Sequence, residues 1–263
     1  MESQLKIPTI LRIVVVITLV AWWITYSETR QMGLLMKLGV PMSLGMEGWA
    51  DPLSFAVFTA MWAVMMVAMM LPSSYPTLLL HRLVSTSRNA SAKSTMLFAV
   101  SYFLVWSLSG ALFYLLYVLV GYWRSTAAIS DINIVRASGI GLIIAGIYQW
   151  SRLKVACLSH CQGPLQFIME HWRDGNWGAV RMGAKHGYYC FGCCWGLMLV
   201  LFVMGVMHIG WMVAVGAFIL VEKITPSARW LPKLAGLVMV AVGAMILIAP
   251  DTLSTLSSHV TLR

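Results

Sequence analysis

The chain has 263 residues, 60% of them hydrophobic and 10% charged, against roughly a quarter charged in a soluble domain. This composition excludes a soluble globule: it can fill about seven membrane spans of ~20 residues and leaves little for an extramembrane domain. The formal charge of +9 comes from Lys and Arg scattered between apolar runs. That pattern marks topology and gives no phosphate-binding face, so the expected environment is a lipid bilayer and no nucleic-acid partner is expected.

The first apolar run, residues 7–26, follows Lys6 and ends in Trp22, Trp23 and Tyr26 without a small-residue cleavage motif, which predicts a retained helix rather than a secretory signal. The second starts at Asp51-Pro52, an acceptor at the N-cap followed by proline at the first helical position. It runs apolar to Leu71, where Pro72 and Pro76 are expected to bend or end it. Residues 95–123 and 134–150 give the third and fourth spans, each closed by aromatic residues. Between Lys185 and Glu222 there is no formal charge. A single helix over 188–221 would be about 50 Å long, against a hydrocarbon core of ~30 Å, so two spans are predicted with a turn between Gly205 and Gly210. The last span, 234–249, is stopped by Pro250-Asp251. The predicted fold is therefore an all-α, polytopic membrane helical bundle of about seven transmembrane helices, forming one domain over residues 1–263. With the N-terminus inside, 13 of the 18 Lys and Arg residues fall on the cytoplasmic side, as the positive-inside rule requires. The long loop 151–187 is then cytoplasmic, and its amphipathic stretch 164–173 is predicted to be a short interfacial helix.

All five cysteines lie between positions 157 and 194, in two groups: Cys157 and Cys161 with His160, and Cys190, Cys193 and Cys194. The scheme puts both groups in the cytoplasmic loop or the first turns of the fifth span, where a reducing compartment favours metal or redox chemistry over structural disulfides. Residues three and four apart share a helix face, so Cys190, Cys193 and Cys194 can converge, with Met198 one turn deeper. Free cysteine also packs as a small hydrophobe, but three within five residues, with a second pair across one loop, argue for ligands. Thiolates with a thioether suit Cu(I), and thiolates with imidazole suit zinc. Copper is the favoured ion, with zinc and iron as alternatives. His171 and His186 read as interfacial polar residues. If the two groups form one site, Cys157 or Cys161 must bring its sulfur within about 4 Å of a fifth-span cysteine.

Three further features lie outside the cysteine groups. Met61, Met65 and Met69 recur at helical spacing, with Met66 and Met70 beside them. This is either adaptable packing or a thioether ladder in which Met65 and Met69 are candidate ligands. Glu222, beside Lys223 at the end of the sixth span, is either a snorkelling or neighbour-paired end residue or a ligand. His208 reads as a turn residue.

At these positions the sequence resembles a known family. Met65-Met-Val-Ala-Met-Met-Leu-Pro-Ser73, the Cys157 to Cys161 group, Pro164-Leu, His171-Trp172, Trp177-Gly178-Ala179, Gly187-Tyr-Tyr-Cys-Phe-Gly-Cys-Cys-Trp-Gly-Leu-Met198 and Glu222-Lys223 are similar to a bacterial family of predicted metal-binding integral membrane proteins, domain of unknown function 2182. The resemblance spans about residues 51–226, and Cys-x-Gly-Cys-Cys-Trp is its most specific part. It implies a multi-pass protein of the bacterial inner membrane with a metal site, and no established reaction. His208 departs from the asparagine expected in its Gly-x-Met-Asn-type turn.

The functional expectation is copper handling (binding, transfer or transport) at a cysteine-rich site on the cytoplasmic end of the fifth helix, with a metallochaperone or metalloenzyme as exchange partner. The alternative is a membrane oxidoreductase, either thiol-based and coupled to quinone or metal-dependent. Cysteine pairs become redox-active when one thiol is acidified.

Overall fold

The computed structural model describes residues 6–37, 52–88, 90–126, 131–204 and 208–249. Asp51, Gly205, Pro250 and Asp251 lie outside them. The described residues form nine helices and no strand: α1 (Lys6–Lys37), α2 (Pro52–Ser87), α3 (Ala92–Thr126), α4 (Asp131–Tyr148), α5 (Arg152–Gln162), α6 (Pro164–His171), α7 (Gly175–Met204), α8 (Ile209–Ile224) and α9 (Trp230–Ile248). In sequence, α1 packs on α2, α2 on α3, α3 on α7, and α4 on α9, while α7 also touches α4, α5 and α8. Large apolar side chains such as Leu19, Trp23, Leu108 and Leu237 face outward, as lipid-facing residues do.

The count of seven spans is corrected. Among the described residues, five helices are long and apolar enough to cross a membrane: Thr9–Arg30, Pro52–Ser87, Ala92–Leu116, Gly175–Val203 and Trp230–Ile248. The apolar part of α4, Val135–Tyr148, is shorter. α8 has only 16 residues and carries Glu222-Lys223 in its last turn, so at 1.5 Å per residue it is about 24 Å long.

Three element boundaries also differ from the sequence expectation. α2 does not end at Pro72 but runs through both prolines to Ser87. Its second half is packed inside the protein, and the Ser73 and Ser74 hydroxyls donate to the carbonyls of Met70 and Leu71 at 3.0 and 3.1 Å, so tertiary packing overrides a local cost of ~3 kcal/mol per proline. Residues 151–187 are not a loop with one short helix. Ser151 caps α5 by accepting from the Lys154 N–H. Gly163 closes α5, and Pro164, which cannot continue it, opens α6. α7 then begins at Gly175, which has φ of +81°, and runs without interruption through the charged and glycine-rich stretch before Tyr188. Gly183 and Gly187 permit this, because a Cβ at either position would meet the α3 backbone at Phe98 or Tyr102. The junction between α6 and α7 is tied to the end of α2. Asp174 takes a hydrogen bond from the Trp172 indole at 2.8 Å and pairs with Arg88 at 3.2 Å. The indole first, and then the guanidinium, hold its carboxyl below the ordinary aspartate range.

α4 and α9 meet antiparallel through two glycines each, seven residues apart, with Gly139 facing Gly243 and Gly146 facing Gly236. Small residues let membrane helices approach backbone to backbone. α5 is held differently. Lys154, with no exposed surface, donates to Glu222 Oε2 at 2.8 Å and to the Cys193 carbonyl at 2.6 Å. At the other end of α5, the Gln162 amide donates to the Glu222 carbonyl at 2.8 Å.

Two expectations follow for thermal unfolding of the detergent-purified protein. At Gly146 a Cβ would lie 2.7 Å from the Gly236 carbonyl oxygen, whereas at Gly141 it meets nothing within 4 Å. Gly146→Leu should therefore cost about 1–3 kcal/mol or more through overpacking, and Gly141→Ala should leave the unfolding temperature unchanged or raise it. Lys154→Met leaves Glu222 buried without its cation, a loss of about 3–5 kcal/mol, and adding Glu222→Leu should recover most of it.

Candidate metal centre

The centre is assembled from five helices. α7 presents Cys190, Cys193 and Cys194 on one face, all with no exposed surface, as the i, i+3, i+4 spacing requires. α5 repeats that spacing: Lys154, Cys157, Leu158 and Cys161 form the face turned toward α7, and Cys161 is buried. α3 contributes Tyr102. α8 contributes Lys223, and the proline-containing part of α2 contributes Ser73.

The sulfur atoms of Cys161, Cys190 and Cys193 all lie within 4.8 Å of one another. Cys161 Sγ is 3.8 Å from Cys193 Sγ, so the structure brings the two sequence groups together. Two sulfurs on one ion at ~2.3 Å each can be no more than about 4.6 Å apart, so the set fits a single soft ion after shifts of tenths of an ångström. Cys194 Sγ is 3.1 Å from Cys193 Sγ, outside the mutually close three. Cys193 also donates to the Cys190 carbonyl at 3.1 Å. All five cysteines are free thiols.

The surroundings are electropositive and polar on one side only. Lys223, 5% exposed, places Nζ 3.1 Å from Cys190 Sγ and 3.0 Å from Ser73 Oγ. An ammonium has donors and no acceptor, so both partners accept from it, and Ser73 passes its own proton on to Met70. Tyr102 Oη is 3.0 Å from the same sulfur. Apolar side chains, among them Trp106, Met198 and Leu201, close the rest.

The other sequence candidates are placed as follows. Cys157 is half-buried, and its sulfur packs against Gly192, where a Cβ would lie 2.7 Å away. It is not among the three close sulfurs. His160 is not grouped with them and stacks on Tyr189, with ring centroids 4.1 Å apart. Met198 is buried in the cysteines' own core cluster, as are Met65 and Met69, and Met69 packs on Gly216 of α8. Glu222 neither snorkels nor pairs with Lys223: it is 1% exposed and bonded to Lys154, and its Oε1 has no hydrogen-bond partner among the described residues. His208 caps α8, its ring accepting from the Trp211 N–H, the work an asparagine would do there.

The expected position at the first turn or two of its helix is also corrected. Because α7 starts at Gly175, Cys190 lies 15 residues, or about 22 Å, along it. Sequence reasoning missed Ser73, Tyr102, Lys154 and Lys223 as parts of the centre. Lys154 was legible, being three and seven residues before the two α5 cysteines. Tyr102 carried no local signal.

The family described as PpoB2, copper chaperone, matches residues 59–246, a stretch from α2 to α9 that contains every residue of the centre. No curated protein and no solved structure matches the chain. The resemblance to domain 2182 is thus supported in its metal-related part, under a different family name. On this match the chain belongs to the PpoB2 family of copper chaperones.

Proposed function

We propose that the protein binds Cu(I) as cargo inside the membrane on the sulfurs of Cys161, Cys190 and Cys193, and passes it to a metallochaperone or metalloenzyme. The observation that carries this reading is the meeting of three buried sulfurs from two helices beside the Lys223 ammonium. Sulfur donors select Cu(I) over harder ions. A Cu(I) ion on three thiolates carries two net negative charges, one of which Lys223 offsets. The mutually close set stops at three sulfurs among the described residues, whereas structural zinc closes with four ligands. Cys194 and Met198 are reserve donors at the inner edge. Cys157, half-buried on the same face of α5, is the receiving thiol.

The end of the bundle carrying the α2–α3 turn and α5–α6 is rich in cations. Arg88 and Lys93 lie at that turn, Arg173 sits beside Asp174, and the Trp150 indole, next to Arg152, bonds the Lys233 carbonyl at 3.1 Å. The positive-inside rule assigns this end to the cytoplasm, in keeping with a bacterial inner-membrane protein.

In Cu(I) titrations against a chromophoric competitor, Cys190→Ser or Cys193→Ser should weaken binding by about 100-fold or more, and Lys223→Met by about 10-fold, the scale of a neighbour that tunes a metal's ligands. Cys157→Ser should change the affinity little and slow loading. Equal affinity in Cys190→Ser and the unmodified protein, or tight binding of zinc alone, would overturn the reading. Alkaline phosphatase joined after Arg88 should be inactive, and a fluorescent protein joined there should fluoresce. The opposite pattern would reverse the orientation.

A further inference from the structure

Immediately outside the thiol cluster the structure pairs two histidines that the copper site does not use. His160 stands in the last turn of α5 and His171 ends α6. His160 Nδ1 lies 2.8 Å from the Ala156 carbonyl oxygen, and His171 Nδ1 lies 3.0 Å from that of Phe167. A carbonyl only accepts, so in both rings Nδ1 carries the hydrogen, and in the neutral ring Nε2 holds the lone pair. Metal-binding imidazoles are commonly fixed in this way, one nitrogen anchored to a carbonyl and the other left to bind.

Both rings are also held in place by stacking. His160 lies on Tyr189 at 4.1 Å and 14°, and His171 on Phe167 at 4.9 Å and 24°. Their own centroids are 6.1 Å apart. Two imidazoles sharing one ion at ~2.0–2.1 Å have centroids no more than about 6.4 Å apart, so the spacing admits a common ion. One anchored histidine at a helix end is ordinary. Two with the same tautomer, their centroids within the reach of a single ion, meet the spacing that a shared site requires.

Its position gives it a use. His160 precedes Cys161 on α5, and Tyr189 precedes Cys190 on α7. The contact between His160 and Tyr189 is therefore the outer neighbour of the contact between the two cysteine-bearing faces, one residue step away along each chain. On its other side, His171 lines an open cleft of about 630 Å³ together with Glu170, Trp172, Arg173, Arg181 and Lys185. Three cations in that cleft, Arg173, Arg181 and Lys185, repel a hydrated divalent ion more strongly than a monovalent one.

We propose that His160 and His171 form a second, two-nitrogen Cu(I) site, loaded from the cleft and feeding the buried sulfurs. Its feeding role rests on the reading of the thiol cluster as the copper site, whereas its binding role does not. Transfer exchanges Cu–N bonds for Cu–S bonds at constant oxidation state, and the proton released by each thiol goes to a vacated Nε2 or to water.

The test is anaerobic Cu(I) titration of the detergent-purified full chain, followed by X-ray absorption at one and at two equivalents. The unmodified protein should bind two equivalents, the first with sulfur neighbours and the second with nitrogen neighbours only. His160→Gln and His171→Gln should each lower the total from two to one and keep the thiolate-to-copper ultraviolet band. A Cys161→Ser, Cys190→Ser, Cys193→Ser triple variant should lose that band and keep the nitrogen-bound equivalent. If that nitrogen-bound ion appears while no sulfur-bound ion is found in the unmodified chain, the thiol reading fails and the histidine site stands. A second equivalent with sulfur neighbours, or no second equivalent at all, overturns the histidine site. The spectrum of the unmodified protein decides this even where a glutamine variant folds poorly.

Discussion

A lysine side chain with no contact with solvent decides where α5 lies. Lys154 reaches Glu222 on α8 and the Cys193 carbonyl on α7, so a single ammonium joins three helices. Removing an ammonium and a carboxylate from water costs several kcal/mol each, and the pair is tolerable only while both bonds stay short. Sliding or lifting α5 would separate the charges in a region of low dielectric. Cys161, two turns farther along α5, is fixed by the same restraint, and with it the third sulfur of the centre.

Charge then dictates what the centre can accept. Lys154 and Glu222 cancel each other, which leaves Lys223 facing a sulfur, a serine hydroxyl and the apolar interior. An ammonium so placed is stable only beside negative charge. Of its partners, the sulfur of Cys190 is the one that can supply it, either as a thiolate or as part of an anionic copper complex. The serine reaches this position because α2 continues through Pro72 as a buried helix, and its hydroxyl both donates to Met70 and accepts from Lys223. A feature that reads as a helix break in isolation thus becomes a polar contact in the packed bundle.

How much of this was legible depends on the range of the interaction. The helical class, the apolar runs and the convergence of Cys190, Cys193 and Cys194 follow from local spacing, and the sequence contains them directly. The convergence of Cys161 on that group needed the long segment before α7 to fold back, which cysteine spacing suggests and only packing decides. The sequence has seven apolar runs, whereas five helices among the described residues are long and apolar enough to cross a membrane, because hydropathy marks a run without fixing the length of the helix it forms. Lys223 was read with its chain neighbour Glu222. Consecutive residues on a helix point about 100° apart, so the two side chains look to different helices and find different partners. Tyr102 is 88 residues from Cys190 and leaves no local trace.

The start of α7 connects these observations. Thirty residues make it about 45 Å long, against a hydrocarbon core of ~30 Å, so its first turns extend beyond the apolar layer. Those turns carry Arg181 and Lys185, which line the cleft beside His171, and lead to Tyr189, on which His160 stacks. One uninterrupted helix therefore runs from a cationic, water-accessible cleft past two anchored imidazoles to three buried sulfurs. Imidazole is a weaker donor to soft copper than thiolate, so the two proposed sites stand in order of rising affinity for Cu(I) along that helix. In that proposal the direction of loading follows from the order of the residues and requires no moving part.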